Sequence, residues 1–104
     1  MIEIVETPVF TKQVLELLDD DSYRALQLEL IVRPHAGPII PGSGGLRKIR
    51  WAGSGHGKRG GVRIIYYWLA EDDQIFMLYM YPKNERSDLN PAQLRALRQL
   101  IEEK

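Results

Sequence analysis

The chain opens on an alternation, Ile2 and Ile4 against Glu3 and Glu6 with Val5 between. A period of two places successive side chains on opposite faces of an extended strand, so residues 1–6 predict a short strand with one buried face. Thr7-Pro8 then reads as a helix start. A threonine oxygen caps the first free N–H groups, and proline sits at the first helical position, where its missing N–H costs nothing. Val9, Phe10, Val14, Leu15, Leu17 and Leu18 recur at helical spacing, and Asp19-Asp20-Asp21-Ser22 breaks the run. A second helix follows with Tyr23, Leu26, Leu28, Leu30 and Ile31 as its stripe. It ends near Arg33, because Pro34 disfavours helical backbone in the residue before it. Two helices so closely joined predict an antiparallel helical hairpin.

Pro34, Pro38 and Pro41 with Gly37, Gly42, Gly44 and Gly45 mark residues 34–45 as a loop. Three strand-like segments come next: Leu46–Trp51, Val62–Leu69 and Ile75–Tyr81. The first two are joined by Ala52–Gly61, with five glycines, and the last two by the polar turn Glu71-Asp72-Asp73-Gln74. Asn90-Pro91 repeats the cap-plus-proline signal ahead of Leu94, Leu97, Leu100 and Ile101, an amphipathic final helix. The order β-α-α-β-β-β-α predicts an α+β fold. Its N-terminal strand and helical hairpin pack on a small antiparallel sheet, with a C-terminal helix. With 104 residues, no internal repeat and no dividing linker, residues 1–104 read as one domain.

Composition narrows the function classes. An apolar share of 44% suits a globular core. The absence of cysteine excludes a disulfide framework, a thiolate metal site and a cysteine nucleophile. No apolar run approaches the roughly 18 residues that span a bilayer. The acidic N-terminus lacks the basic start of an export signal, so a cytoplasmic protein is expected.

The zero net charge hides a segregation. Residues 1–30 carry net −5, residues 31–70 carry +7 without a single acid, and residues 71–104 carry −2. Forty residues without an acid suit a polyanionic partner, phosphate above all. The plainer alternative is that the acidic ends fold over the basic middle and neutralise it.

Within the first of the three strand segments Ile49 and Trp51 share one face. Lys48 and Arg50 share the other, about 6.6 Å apart along the strand. Two cations so placed can bridge successive phosphates or grip one from two sides. Arg63 opens the next strand just after the glycine-rich stretch that carries His56, Lys58 and Arg59. Lys83, Asn84, Glu85 and Arg86 follow the last strand. If the three strands are antiparallel neighbours, these groups converge on one rim of the sheet.

Such an assembly suits RNA cleavage without a metal, in which the ribose 2′-OH attacks the adjacent phosphate. Arginine and lysine stabilise the charge that accumulates on the phosphorane oxygens. The proton acceptor stays open between a lysine crowded by other cations and His56. Tyr66, Tyr67, Trp68, Tyr79 and Tyr81 offer stacking faces, Tyr81 and Tyr79 before the rest, although aromatic residues in strands more often belong to the core. Arg47, His56, Lys58, Arg59, Tyr81 and Arg86 make up the candidate RNA-binding set. Arg47 alternates away from Lys48 and Arg50, so less is expected of it.

Other motifs fail on spacing. A Walker loop ending at Gly57-Lys58 needs glycine at position 52 and serine or threonine at 59, where the chain has Ala52 and Arg59. His35 and His56 lie in different loops without a cysteine, which argues against a structural metal. The Asp19–Asp21 run lacks calcium-loop spacing.

Three blocks carry a resemblance over nearly the whole chain. They are Gly44-Gly45-Leu46-Arg47-Lys48-Ile49-Arg50, Gly57-Lys58-Arg59-Gly60-Gly61-Val62-Arg63-Ile64-Ile65-Tyr66-Tyr67, and Lys83-Asn84-Glu85-Arg86-Ser87-Asp88-Leu89. In this order they resemble the RelE/HigB toxin family, and the first two are similar to one HigB branch in particular. The resemblance implies a cytoplasmic toxin that enters the ribosomal A site and cuts mRNA there, with no metal or other cofactor and no membrane. It implies a cognate antitoxin, often a HigA-like helix-turn-helix protein, whose complex with the toxin binds operator DNA. By position Lys48, Arg50 and Arg63 match the family's basic catalytic cluster, and Lys83 its basic site after the last strand. The family's arginine after that lysine and its closing tyrosine are here Asn84 and Asn90. The acid–base roles therefore stay open among Lys48, Lys58, His56 and Tyr81. Two other readings use the same residues: a non-catalytic RNA- or ribosome-binding module, and a protein-interaction domain with a basic groove.

Overall fold

The structure is a computed structural model, described here for residues 1–52, 61–85 and 88–102. The elements follow the expected order. They are β1 (Glu3–Glu6), α1 (Pro8–Leu17), α2 (Asp20–Val32), β2 (Arg47–Trp51), β3 (Val62–Leu69), a 3-10 turn (Ala70–Asp72), β4 (Gln74–Pro82) and α3 (Pro91–Glu102).

Each helix starts where a side chain replaces the missing backbone acceptor. Thr7 Oγ1 accepts the Phe10 N–H at 3.1 Å and donates to Leu78 O at 3.2 Å, so the cap also ties α1 to β4. Asp19 Oδ1 accepts the Ser22 N–H at 2.8 Å. Asn90 and Gln93 cap reciprocally, each side chain accepting the other's backbone N–H at 2.8 Å. Between β3 and β4 the chain reverses through Asp73 in the left-handed region, φ 56°.

The four strands lie in the order β1-β4-β3-β2. The expected antiparallel meander is present in β2–β3–β4. β1, however, runs parallel to β4 in the register Glu3↔Gln74 to Glu6↔Met77, so the sheet is mixed and not wholly antiparallel. A strand's own alternation says which residues share a face, not which strand it joins or in which direction.

One sheet face is closed by α1 and α2. Phe10, Val14 and Leu18 of the first helical segment and Leu26 and Leu30 of the second pack on Ile49, Ile64, Tyr66, Ile75, Met77 and Met80. The buried stripe is narrower than the apolar pattern suggested: Val9, Leu15 (75% exposed) and Leu28 face outward. Tyr66, fully buried on this side, donates its hydroxyl proton to Pro34 O and accepts the Gly37 N–H, both at 2.8 Å. Burial raises its pKa, against smaller lowering effects from the Gly37 hydrogen bond and the Arg47 charge. Its aromatic surface is core, not a platform for bases. Gly37 itself admits no side chain, because a Cβ there would lie 2.7 Å from Lys48 O. That approach seats the 34–45 loop against β2. No helix among the described residues is long and apolar enough to cross a membrane.

The opposite face is covered in part by α3 and the loop, which bring Leu94, Leu97, Ile101 and Ile40 onto Leu46, Ile65, Phe76 and Leu78. A bulge disturbs the alternation here: Ile65 pairs with Tyr79 but Tyr66 with Met77, so Leu78 is the extra residue. No residue of α3 is buried as deeply as the cores of α1 and α2, and its Leu100 is exposed.

Candidate functional site

The face beneath α3 also carries the cations. In the β2–β3–β4 register Arg50 is opposite Arg63, and Arg63 is opposite Tyr81. Directly opposed residues project from the same face at cross-strand contact distance, so Arg50, Arg63 and Tyr81 form one row across three strands. The next row is Lys48, Ile65 and Tyr79. The convergence expected at one rim is therefore a cross-strand row, built by register alone. Lys83 stands just past the end of β4. Its N–H donates to Gly61 O at 3.1 Å, which anchors its backbone beside the start of β3, two residues from Arg63. Its side chain is exposed.

These residues differ in accessibility. Arg50 is exposed, whereas Arg63 is only 3% exposed. An Arg63 guanidinium nitrogen lies 3.4 Å from Val62 O. Tyr81 is likewise 3% exposed, and its ring is tilted 45° to that of Tyr79 at a centroid distance of 6.1 Å. A base can stack only on a face that solvent can reach, which makes the half-buried Tyr79 the more open of the two rings.

Arg47 goes elsewhere. Its guanidinium donates to Gly37 O at 2.8 Å and His35 O at 3.3 Å, fastening the loop after α2 to the edge of the sheet. The structure does not bring it into the row with Arg50 and Arg63. His56, Lys58, Arg59 and Arg86 lie outside the described residues.

Sequence reasoning missed Asp88. Its carboxylate accepts a hydrogen bond from Lys48 Nζ at 2.5 Å across forty residues of sequence. That hydrogen bond first, and then the Lys48 charge, holds the Asp88 carboxyl below the usual carboxylate range. Desolvation opposes these two, and the Arg63 charge adds the smallest lowering pull. The neutralisation of the basic middle by an acidic end, weighed as the plainer reading of the charge pattern, thus occurs at Lys48. An acid between Arg86 and the Asn90 cap was the available signal, but its partner is set by how the segment before α3 crosses the sheet. A cleft of about 480 Å³ opens beside this ion pair, between the Pro38–Pro41 turn and the Asp88–Leu94 segment, with Ile65 also in its lining.

The described architecture is a small α+β domain, three helices packed on a mixed four-stranded sheet. It superposes on the E. coli toxin RelE, solved as a double arginine-to-alanine mutant in the free state, with a TM-score of 0.63 at 14% identity. The match covers 93% of this chain and 96% of that one. At that identity the likeness is one of fold. Family is decided by the sequence: the family described as RelE toxin of the RelE / RelB toxin-antitoxin system matches residues 41–103. That span is more than half of the chain and includes every described cation of the row. The chain belongs to the RelE toxin family.

Proposed function

We propose that this chain is a cytoplasmic toxin that cuts mRNA in the ribosomal A site, residues 1–104 acting as one toxin domain of the HigB-like branch. The observation that carries the reading is the Arg50–Arg63–Tyr81 row, flanked by Lys48 and Lys83. In the proposed reaction the ribose 2′-oxygen bonds to the adjacent phosphorus and the bond to the 5′-oxygen breaks. The products are a 2′,3′-cyclic phosphate and a free 5′-hydroxyl. Arg63 and Arg50 stabilise the phosphorane oxygens, and Lys48 and Lys83 hold the neighbouring backbone charge. The chemistry as proposed needs no metal. Lys58, Arg59, His56 and Arg86 belong to the proposed RNA-binding set. The acceptor of the 2′-OH proton, and the donor of the proton that the leaving 5′-oxygen takes up, are drawn from Lys48, Lys58, His56 and Tyr81. A HigA-like helix-turn-helix antitoxin is the proposed partner, with operator DNA bound only through the complex.

One observation favours a second reading, a ribosome-binding module that does not cut. Asn90, which stands where the family has its closing tyrosine, is engaged with both its backbone N–H and its side chain in capping α3. It therefore takes no part in proton transfer. Translating lysate separates the two readings. A toxin cuts the translated message, the cutting stops when ribosomes are removed, and induction of the chain alone arrests growth. Salt-sensitive ribosome binding with an intact message would establish the second reading instead.

A further inference from the structure

The carboxylate of Asp88 takes no part in capping the helix that follows it. It is two residues ahead of the helix cap, and the capping of α3 is done by Asn90 and Gln93. Its side chain is 71% exposed, so it satisfies no buried group, whereas Lys48 is 27% exposed. What it does is place an oxyanion on a cation of the candidate site, within the field of Arg63. A carboxylate and a phosphodiester present the same ligand to an ammonium group, a pair of oxygens sharing one negative charge.

We infer that Lys48, with Arg63 behind it, forms an oxyanion subsite that Asp88 occupies in the free protein, and that a backbone phosphate of RNA binds there by exchanging with the Asp88 carboxylate. The inference rests on the RNA-directed reading above and adds to it which cation takes a phosphate and what must leave first. The exchange has a simple energetic logic. An exposed ion pair is weak and salt-screened, so the internal carboxylate delays or weakens phosphate binding without blocking it. It also makes the subsite selective, because a ligand without an anionic group cannot displace Asp88 from Lys48.

The test compares Asp88→Asn with the unaltered protein in binding a 2′-deoxy single strand, which cannot be cleaved, and inorganic phosphate. Asp72→Asn, at the far end of the sheet in the β3–β4 connection, controls for the loss of one negative charge. Asp88→Asn is expected to tighten binding of the strand by roughly two- to fivefold, the range of a solvent-exposed ion pair, and Asp72→Asn by less. In a Lys48→Ala background the gain from Asp88→Asn should vanish, and inorganic phosphate should shift the Lys48 side-chain resonances more in Asp88→Asn than in the unaltered protein. The inference is overturned if Asp88→Asn binds no better than Asp72→Asn, if it binds more weakly, if its gain survives loss of Lys48, or if neither probe binds any form. Cleavage on programmed ribosomes, measured separately, reports on the toxin reading. A protein that cuts while Asp88→Asn gains nothing sinks the exchange alone, and a protein that shows the exchange but never cuts sinks the toxin reading alone.

Discussion

The two faces of one sheet are built from the same strands and obey opposite rules. On the face under α1 and α2, alternate residues of β2, β3 and β4 are Ile49, Ile64, Tyr66, Met77 and Met80, closed over by Phe10, Val14, Leu26 and Leu30. Its polar atoms are matched, as the two hydrogen bonds of the Tyr66 hydroxyl show. One residue along each strand, on the other face, stand Lys48, Arg50, Arg63 and Tyr81, with α3 covering only part of the surface. The first face stabilises the fold by removing apolar area from water. The second carries a smaller apolar cluster under α3 and, beside it, cations brought together whose mutual repulsion an anionic ligand relieves. A strand pair can serve both ends because its side-chain period is two, so chemistry on one face leaves packing on the other intact.

The largest expected effect lies on the open face. Arg63→Ala should lower the single-turnover cleavage rate on programmed ribosomes by on the order of 100- to 1000-fold, the usual consequence of removing a preorganised donor. Arg63→Lys should recover only part, since lysine keeps the charge but not the planar fork. Because Arg63 is 3% exposed, circular dichroism and thermal unfolding of the variant must show a retained fold. If Arg63→Ala weakens ribosome binding while bound complexes cut at the normal rate, Arg63 grips RNA and does not stabilise the transition state.

The closed face should respond in the opposite sense. Leu26→Ala, at a fully buried site, should reduce unfolding free energy in urea by about 2–5 kcal/mol. The cleavage rate per folded molecule should stay near that of the unaltered protein. A rate loss matching that of Arg63→Ala would show that the two faces are not independent.

The smallest effect is a titration. With its pKa lowered by Lys48, Asp88 should titrate in carbon-detected NMR with a midpoint below the ordinary aspartate value of 3.8, and Lys48→Ala should bring the midpoint back up. A depressed carboxylate adds stability that is fully present above its unfolded value and is lost as pH falls through the folded one. The Lys48–Asp88 contact should therefore be intact at neutral pH and open only in acid. An unchanged midpoint in Lys48→Ala would mean that the pair does not form in solution.

Local chemistry made much of this legible in advance. Thr7, Asp19 and Asn90 cap the helices that their side chains announce, because capping is decided within three residues. The period-two alternation of β2 separated Lys48 and Arg50 from Ile49 and Trp51. The amino-acid sequence by itself thus determined element order, the two-faced strands and the family. Only the tertiary structure decided that β1 runs parallel beside β4, that Arg50, Arg63 and Tyr81 fall in one row, that Arg47 binds loop carbonyls instead of joining them, and that Asp88 reaches Lys48. Each of these is a contact between segments distant in the chain, and its geometry depends on strand register and on how the loops cross the sheet. Periodicity reports which way a side chain faces within its own element; which partner it meets there is chosen by the packing of the whole domain.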